Sequence, residues 1–505
     1  MSDASKRADE KSRISISDYR LGKKCLKALW RKTNDPESFH YPALDPHIAV
    51  QGAEIRALGK SLLGVEKTVP EQSEDEMIRI TKEWMEQGVH VIGDACFLYE
   101  DCLCRVDALV VNEDQSLELY RISAAAGVRD FWVDEFAFSL YILKGLGYRV
   151  RRCWSMHINT GYVRHGALEI ERMFLRQDLT RSAGRAVARV KEFLPRIRRA
   201  KHEKTEPYRR TGEFCRISGP CCYFDLCFPH LPERNVFELG NMSLREKMDL
   251  YHSGLSDLRL LAGSEILNEK QNLQASHEVF ELPDVICREK IREFLKDFTL
   301  PLYFLDFESF QPAVPRFEIT RPYGQIVFQY SLHILEKDGT LRHLQYLGEP
   351  ETDPRPACAR QLCHDIPKNA CTVVYNMDYE RARITEFADL YPELAEHLIS
   401  IRDHILDLII PFRSGWYYNR RMHGSHSLKA VVPALFPEAE ELNYEHLQGV
   451  HDGLEASLAF LSMEHMNPEE RYWLRRNLLD YCSVDTLALV RIYRKLTALA
   501  QEKTK

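Results

Sequence analysis

A short apolar run that ends in two acidic residues is the feature that most constrains how this chain can fold. In the segment LYFLDFESF, residues 302–310, four apolar residues lead directly to Asp306 and, two positions later, Glu308. The run predicts a buried strand, and residues two apart on a strand point to the same face. Two carboxylates on one face repel each other unless cations neutralise them, and oxygen ligands favour Mg²⁺ or Mn²⁺. We therefore expect an α/β domain with a metal-binding cleft where this strand ends. The alternative is a solvent-exposed edge strand.

The segments that follow Glu308 have the order expected of an α/β sheet. Residues 326–335 and 340–347 flank Asp338–Gly339, which is a hairpin signal, and residues 371–375 form a short apolar run before a predicted helix. Three antiparallel strands followed by helix, strand and helix are the opening of a ribonuclease H-like fold. Fold alone does not give function, so the function must be argued from individual residues.

Two more acidic blocks follow along the chain. In VVYNMDYERARI a strand is predicted to end at Asn376, and Glu380 lies one helical turn further on, with Asp378 between them. In LLDYCSVDTLALV, Tyr481 and Asp485 are four apart on a predicted helix and therefore share a face. Each block alone is a common sequence feature, so the information lies in their combination and order.

Together the three blocks resemble the motifs D-x-E, N-x-x-x-D and Y-x-x-x-D of the DnaQ-like, or DEDD, family of 3'-5' exonucleases. The resemblance covers roughly residues 301–500. Glu380 stands where the family has Asp, which lengthens that ligand by one methylene, and Tyr481 corresponds to the tyrosine subtype. The phrases RPYGQIVFQYSLH and GSHSLKAVVPALFP also resemble a bacterial family in which this domain follows a RecB-like one.

The resemblance implies hydrolysis of phosphodiester bonds by two metal ions about 4 Å apart, with release of nucleoside monophosphates from a 3' end. By the family's pattern Asp306 would bridge both ions. Glu308 and Asp485 would complete one ion, and Glu380 would act mainly through the other. Tyr481 would orient the attacking water by hydrogen bonding rather than remove its proton. The substrate would be DNA or RNA, presented as a single-stranded 3' end.

Three further residues are candidates for contact with that substrate. Asn376 opens the second block, and His426 and Lys429 lie in the phrase GSHSLK. The alternative for the last two is a structural role at a helix start capped by a serine of the same phrase. Asp407, in LDLIIP, is an additional acidic candidate that ranks below the motif residues.

The cysteines of the N-terminal half are arranged like metal ligands. Cys215, Cys221 and Cys227 are spaced C-x5-C-x5-C, and Cys25 lies far upstream. Because nothing indicates an oxidising compartment, clustered cysteines favour a metal site, with zinc or buried thiols without metal as alternatives. A distant cysteine joined to three near the end of a domain is similar to the iron-sulfur nucleases of the RecB and AddB type, over about residues 14–230. That similarity implies a [4Fe-4S] cluster on these four thiolates.

The nuclease site of those proteins is incomplete in this chain. They cleave through a PD-(D/E)xK site, with Asp on one strand, Glu-x-Lys on the next, and a helical Gln. Asp107 matches the first position, but the Glu and Lys positions fall on Arg121 and Ser123, and the Gln position falls on Ser139. Glu118 is expected on the opposite face of the strand from Arg121. Since a positive charge there repels a metal ion, we expect a restriction-endonuclease-type fold without nuclease activity, kept for DNA binding or for structure.

Length and composition limit the remaining possibilities. A chain of 505 residues predicts more than one core. We expect a disordered lead-in (residues 1–13), a RecB-like iron-sulfur domain (14–235), a helical linker (236–299) and the exonuclease-like domain (300–500). No apolar run approaches the ~18 residues that span a bilayer, and the first dozen residues lack the apolar segment of a secretory signal. These features predict a cytoplasmic protein that does not enter membranes.

Net charge argues weakly against nucleic-acid binding by the whole surface, because the chain carries a formal charge of −7. One segment departs from this average. Residues 176–210 contain twelve Lys or Arg against four Asp or Glu, and apolar residues recur at helical spacing within it. The pattern predicts an amphipathic helix whose basic face is either merely solvated or follows phosphates.

A metal-dependent exonuclease is therefore the expected function. The competing hypothesis from another class is a catalytically inactive scaffold that binds nucleic acid and carries an iron-sulfur cluster. A third hypothesis, an iron-sulfur sensor that regulates the nuclease, depends on the cysteines alone.

Overall fold

The chain forms two compact units of mixed α/β structure in a computed structural model that describes residues 13–38, 46–217, 219–442 and 449–502. Unit 1 comprises residues 1–229 and 312–324, and unit 2 comprises residues 230–311 and 325–505. The expected lead-in lies outside the described residues except for its last position. Among the residues described, no helix combines the length and the apolar character that crossing a membrane requires.

Unit 1 is organised around a seven-stranded mixed sheet. Its strand order is β2-β3-β4-β5-β6-β7, and β1 pairs in parallel with β4. The strands are β1 (Ile14–Ser15), β2 (Lys67–Thr68), β3 (Val91–Tyr99), β4 (Cys102–Val111), β5 (Leu117–Ser123), β6 (Val150–Ile158) and β7 (Phe174–Asp178).

The described helices of unit 1 are α1 (Ile16–Lys24), α2 (Leu26–Asn34), α3 (Pro46–Leu62), α4 (Glu74–Glu86), α5 (Asp130–Gly145), α6 (Ile170–Met173), α7 (Thr180–His202) and α8 (Phe224–Cys227). The sequence from Ser15 to Trp30 predicts one helical segment, but the structure has two helices there, because Cys25 takes an extended conformation (φ −160°, ψ 111°) between α1 and α2. Residues 312–324 belong to this unit because they hydrogen-bond within it. The Arg164 guanidinium, for example, donates to the carbonyls of Pro315 (3.0 Å) and Arg316 (2.8 Å).

The core of unit 1 lies between the sheet and helices α5 and α7. On α7 the side chains of Val187, Val190, Leu194 and Ile197 are buried, which is the periodicity that the sequence predicts. The apolar face of this helix is therefore used in the core, and its basic face is left outward.

Unit 2 contains a five-stranded sheet with the order β11-β10-β9-β12-β13. Strands β9, β10 and β11 are antiparallel, whereas β12 and β13 run parallel to β9. A separate two-stranded ladder joins β8 to β14. The strands are β8 (Val285–Ile286), β9 (Leu302–Phe310), β10 (Ile326–Leu335), β11 (Leu341–Leu347), β12 (Cys371–Val374), β13 (Ile405–Asp407) and β14 (Tyr417–Tyr418).

The described helices of unit 2 are α9 (Leu244–His252), α10 (Leu258–Leu261), α11 (Glu269–Val279), α12 (Arg288–Phe294), α13 (Arg355–Asp365), α14 (Asp378–Leu390), α15 (Ala395–Asp403), α16 (Ile410–Arg413), α17 (Leu428–Leu435), α18 (Gly453–Ser462) and α19 (Pro468–Gln501). Short 3-10 turns cover Pro36–Ser38 and Glu213–Cys215 in unit 1, and Val236–Glu238, Leu295–Asp297, Arg420–Met422, Glu440–Leu442 and Met463–His465 in unit 2. Most of segment 236–299, expected as a helical linker, forms helices or 3-10 turns and lies within unit 2.

Strand β9 separates two cores because its side chains alternate. Leu302 and Phe304 pack into a core with residues of α19, whereas Tyr303, Leu305 and Phe307 pack into a core with residues of α13 and α14. By the same alternation, the side chains of Asp306 and Glu308, the first acidic pair of the sequence, also face α19.

Candidate functional site

The acidic pair of β9 faces helix α19, where Cys482 completes a tight group. Asp306 is half-buried and Glu308 is 8% exposed. One ligand atom from each of these two carboxylates and the Cys482 sulfur lie within 4.8 Å of one another. The Cys482 Sγ is 3.8 Å from Asp306 Oδ2, the distance of a weak thiol donor to a carboxylate.

The second acidic block is positioned by a buried turn between β12 and α14. Asn376 has a left-handed backbone (φ 68°), and its N–H donates to Asp407 Oδ1 at 2.8 Å. The same carboxylate accepts from the N–H groups of Met377 (3.2 Å) and Ile409 (3.0 Å). The Asp407 carboxylate thus binds the backbone of this turn, and these contacts do not support a role for it as a metal ligand.

The turn determines which acid of the second block enters the interior. Asp378 is exposed at the start of α14, whereas Glu380, two residues later, is 3% exposed. Among the described residues Glu380 Oε2 has no hydrogen-bond partner. Burial raises the pKa of Glu380 to about 8, the charge of Asp407 adds to this, and the Arg383 guanidinium opposes it. A buried carboxylate oxygen without a donor is a position that a cation would stabilise.

The third block brings the remaining acid from α19. Tyr481 is buried and Asp485 is half-buried one turn further along the helix. Burial, followed by the charges of Asp485, Glu308 and Glu380, raises the pKa of Asp306 well above its ordinary value. Burial and the charge of Asp485 also raise the pKa of Glu308 to about 8. Asp306 therefore lies within electrostatic reach of three other carboxylates, which come from β9, α14 and α19.

This donor set fits a hard divalent cation. Bringing four acids together is unfavourable without a compensating charge, and oxygen donors suit Mg²⁺ or Mn²⁺. The Cys482 thiol does not change this preference. Burial raises its pKa well above the ordinary value, which disfavours the thiolate in the absence of a cation.

The three candidate substrate contacts are placed differently. Lys429 is exposed, and its charge lowers the pKa of Glu308, so it lies within electrostatic reach of the acids. Asn376 is exposed at the turn that leads to Glu380. The pKa of His426 is lowered by burial and by Arg413 and Lys270, so the charges that act on it are not those of the acidic group.

Several neighbours of the acids were not identified from the sequence. The Tyr379 hydroxyl lies 2.6 Å from Ser309 Oγ, directly after the D-x-E pair, and burial raises its pKa with contributions from Glu308 and Asp306. Gly453 begins α18 so close to Glu308 that an added Cβ would lie 3.3 Å from its Oε2. The nearest sequence signal is the phrase HDGLEASL, which predicts a helix start but does not reveal what that helix start faces.

The charged residues of unit 1 that align with the PD-(D/E)xK positions take part in an ion-pair network. Asp107, Arg121 and Ser139 line one small cavity together with Glu135, which the sequence reasoning missed although it lies one turn before Ser139 on α5. Arg121 pairs with Glu135 at 3.2 Å and lies 3.8 Å from Asp107, whose Oδ2 accepts the Ile122 N–H at 2.8 Å. A guanidinium thus lies between the two carboxylates of this cavity.

The four cysteines predicted to be ligands line one cavity of about 620 Å³. Cys25 comes from the break between α1 and α2, Cys215 from a 3-10 turn, Cys221 from the following loop, and Cys227 from the end of α8. Burial raises the pKa of Cys25, Cys215 and Cys227, and the charge of other cysteines of the set also raises each of these pKa values. Cys222 lines the same cavity.

These thiols line one cavity without forming a compact group. A tetrahedral zinc ion with Zn–S bonds of about 2.3 Å brings its sulfurs to within roughly 4 Å of one another. Within the described part of the chain, no three of these four sulfurs lie within 4.8 Å of one another. Arg209 lowers the pKa of Cys25, and Lys27 and Arg31 lower that of Cys227, so nearby cations favour thiolates. Four thiols that line one cavity are a donor set compatible with an iron-sulfur cluster.

Comparison with known proteins gives one match. A family model described as a domain of unknown function (DUF2779) matches residues 303–427. The matched stretch contains the first two acidic blocks and ends before Lys429 and the third block. No curated protein and no solved structure matched the chain.

Proposed function

We propose that unit 2 is a metal-dependent 3'-5' exonuclease that hydrolyses phosphodiester bonds of nucleic acid. The observation that carries the proposal is that the charges of Glu308, Glu380 and Asp485 all act on Asp306, although these acids come from three separate blocks of sequence. Their order along the chain is that of the DEDD motifs. The sheet order, with three antiparallel strands followed by two parallel ones, supports a ribonuclease H-like fold.

Each residue of the site would have its own role in hydrolysis. The four carboxylates would hold Mg²⁺ or Mn²⁺, which when bound supplies charge stabilisation and an activated water for in-line attack at phosphorus. Tyr481 would orient that water by hydrogen bonding, as a phenol with a pKa far above neutrality can. Lys429 would contact a substrate phosphate, which its reach toward Glu308 supports.

Unit 1 is proposed to be a PD-(D/E)xK-like domain that has lost its nuclease activity and carries a [4Fe-4S] cluster on Cys25, Cys215, Cys221 and Cys227. Arg121, paired with Glu135 and close to Asp107, supports the loss of activity because it neutralises the acids that would bind metal. The cluster would join the two ends of the domain. The competing function, an inactive nucleic-acid-binding scaffold, is favoured by this lost site and by Glu380 in place of Asp.

The test is hydrolysis of 5'-labelled single strands of DNA and RNA by the purified full chain with Mn²⁺. Wild type is expected to give a ladder of shortened products, Asp306→Ala none, and Asp378→Ala the wild-type ladder, because Asp378 is exposed beside the site. Equal ladders from wild type and Asp306→Ala would reject the site. Intact strands that wild type retards on a gel would favour the scaffold.

A further inference from the structure

The outward face of α7 carries a row of arginines. Arg181, Arg185, Arg189 and Arg196 are all exposed, and their spacing places them on one side of the helix. Arg199 continues the row and pairs with Glu203 at 2.7 Å. With a rise of about 1.5 Å per residue, Arg181, Arg185 and Arg189 follow one another at intervals of about 6 Å along the helix axis.

The charges of this row are not neutralised by neighbouring acids. Arg181, Arg185, Arg189 and Arg196 form no ion pair with an acid of the described residues, and Glu192 is the one acid on the exposed face of α7. Some other exposed cations of the unit do pair with acids, as Arg79 does with Glu76 and Glu83 on α4. Like charges four residues apart destabilise a helix, so the row is unfavourable unless an anion lies against it.

We propose that this face of α7 binds the phosphodiester backbone of a nucleic acid strand. A row of guanidinium groups repeated at about 6 Å along a rigid axis fits a linear polyanion better than a compact anion. Guanidinium groups also bind phosphate oxygens through paired hydrogen bonds. The surface lies in unit 1, so it goes beyond the proposed hydrolysis in unit 2 and does not depend on it.

The helix is poorly suited to the other large anionic partner, a lipid membrane. Helices that bind at a membrane surface insert an apolar face between the lipids. On α7 the large apolar side chains Val190, Leu194 and Ile197 are buried in the core of the unit. The other exposed residues between Arg181 and Arg196 include Ser182, Gly184 and Ala188, which offer no large apolar side chain to insert.

The experiment measures binding of the full chain to fluorescein-labelled 20-nucleotide DNA and RNA strands, and to the DNA duplex, by fluorescence anisotropy. EDTA is present so that no hydrolysis occurs, and the salt concentration is varied. The test variant is Arg181→Gln/Arg185→Gln/Arg189→Gln. The matched control, Arg79→Gln/Lys82→Gln/Lys144→Gln, also removes three exposed charges from unit 1 but lies on α4 and α5.

The test variant is expected to lower the slope of log affinity against log salt by about 2 and to weaken binding of single strands up to roughly 100-fold at 0.1 M salt. The control should bind within about twofold of wild type.

The proposal is overturned if the test variant keeps the wild-type slope and Kd with an unchanged melting temperature. It is also overturned if wild type binds none of the strands. Loss of hydrolysis in unit 2 with this binding intact would reject the nuclease and leave the surface standing.

Discussion

Asp407 accepts a hydrogen bond from the backbone N–H of Asn376 at 2.8 Å, and this bond holds Asn376 in a left-handed conformation at the end of β12. The contact joins the end of β13 to the turn that leads into the second acidic block. Asp407, a buried carboxylate that is a candidate metal ligand by sequence, thus accepts hydrogen bonds from backbone amides. The inward position of Glu380 depends on this turn.

Replacing Asp407 with Ala is expected to lower the free energy of unfolding by about 2–4 kcal/mol, because three backbone N–H groups lose their acceptor. Asp403→Ala, at an exposed carboxylate of the neighbouring helix, should change it by less than about 0.5 kcal/mol. Urea unfolding followed by circular dichroism measures both. Equal stabilities for the two variants would contradict the anchoring role of Asp407.

How much of this region the sequence predicts depends on how far apart along the chain the interacting residues lie. Strand β9 and the hairpin of β10 and β11 were predicted because an apolar run and the Asp338–Gly339 signal are local patterns. The role of Asp407 was not predicted because its partners, apart from Ile409, lie 30 or more positions away. Strand pairing brings them together, and no local pattern records it.

The same limit applies to unit 1. Asp107, Arg121 and Ser139 could be aligned with a known motif, but Glu135 was missed because the motif has no acid at its position. The break at Cys25 was also missed, since the residues around it read as one continuous helix. Glu135 pairs with Arg121, which lies on a different element of the fold, so no local pattern reveals the contact.

As pH rises, metal-free protein should lose stability relative to a variant in which Glu308 and Glu380 are both replaced by Gln. The pKa values of Glu308 and Glu380 are raised to about 8 in the folded chain, so the native state binds more protons than the unfolded chain from about pH 4.5 to 8. The free energy of unfolding of wild type should therefore fall relative to Glu308→Gln/Glu380→Gln by up to about 1.4 kcal/mol per pH unit for each group. Urea unfolding in EDTA between pH 5.5 and 8 measures this difference, and parallel profiles would contradict it.

Binding of Mn²⁺ should release protons. Because Glu308 and Glu380 hold protons near neutrality, a cation must displace them, and the apparent affinity should rise by up to about tenfold per pH unit for each proton lost. Calorimetry in buffers with different ionisation enthalpies measures the number of protons. Asp306→Ala should abolish binding, and Asp378→Ala should leave it unchanged. An affinity independent of pH between 6 and 8 would argue against these two acids as ligands.

Hydrolysis should not depend on the incomplete site of unit 1. Asp107→Asn keeps an oxygen that can accept the Ile122 N–H, so the fold is expected to survive while the carboxylate charge is lost. The rate of Mn²⁺-dependent strand shortening should remain within about twofold of wild type, since no reacting group is removed. A loss comparable to that of Asp306→Ala would instead assign catalysis to unit 1.

The cysteine cavity gives the last prediction, in which two adjacent cysteines serve as test and control. Cys221 belongs to the predicted ligand set and Cys222 does not, although both line the cavity. Protein purified without oxygen should show a broad absorbance in the blue and about four irons per chain. Cys221→Ser should lose most of both, because one of four thiolates is removed, whereas Cys222→Ser should retain them. Colourless wild-type protein that contains zinc would contradict the cluster, and loss of colour in Cys222→Ser alone would reassign the fourth ligand to Cys222.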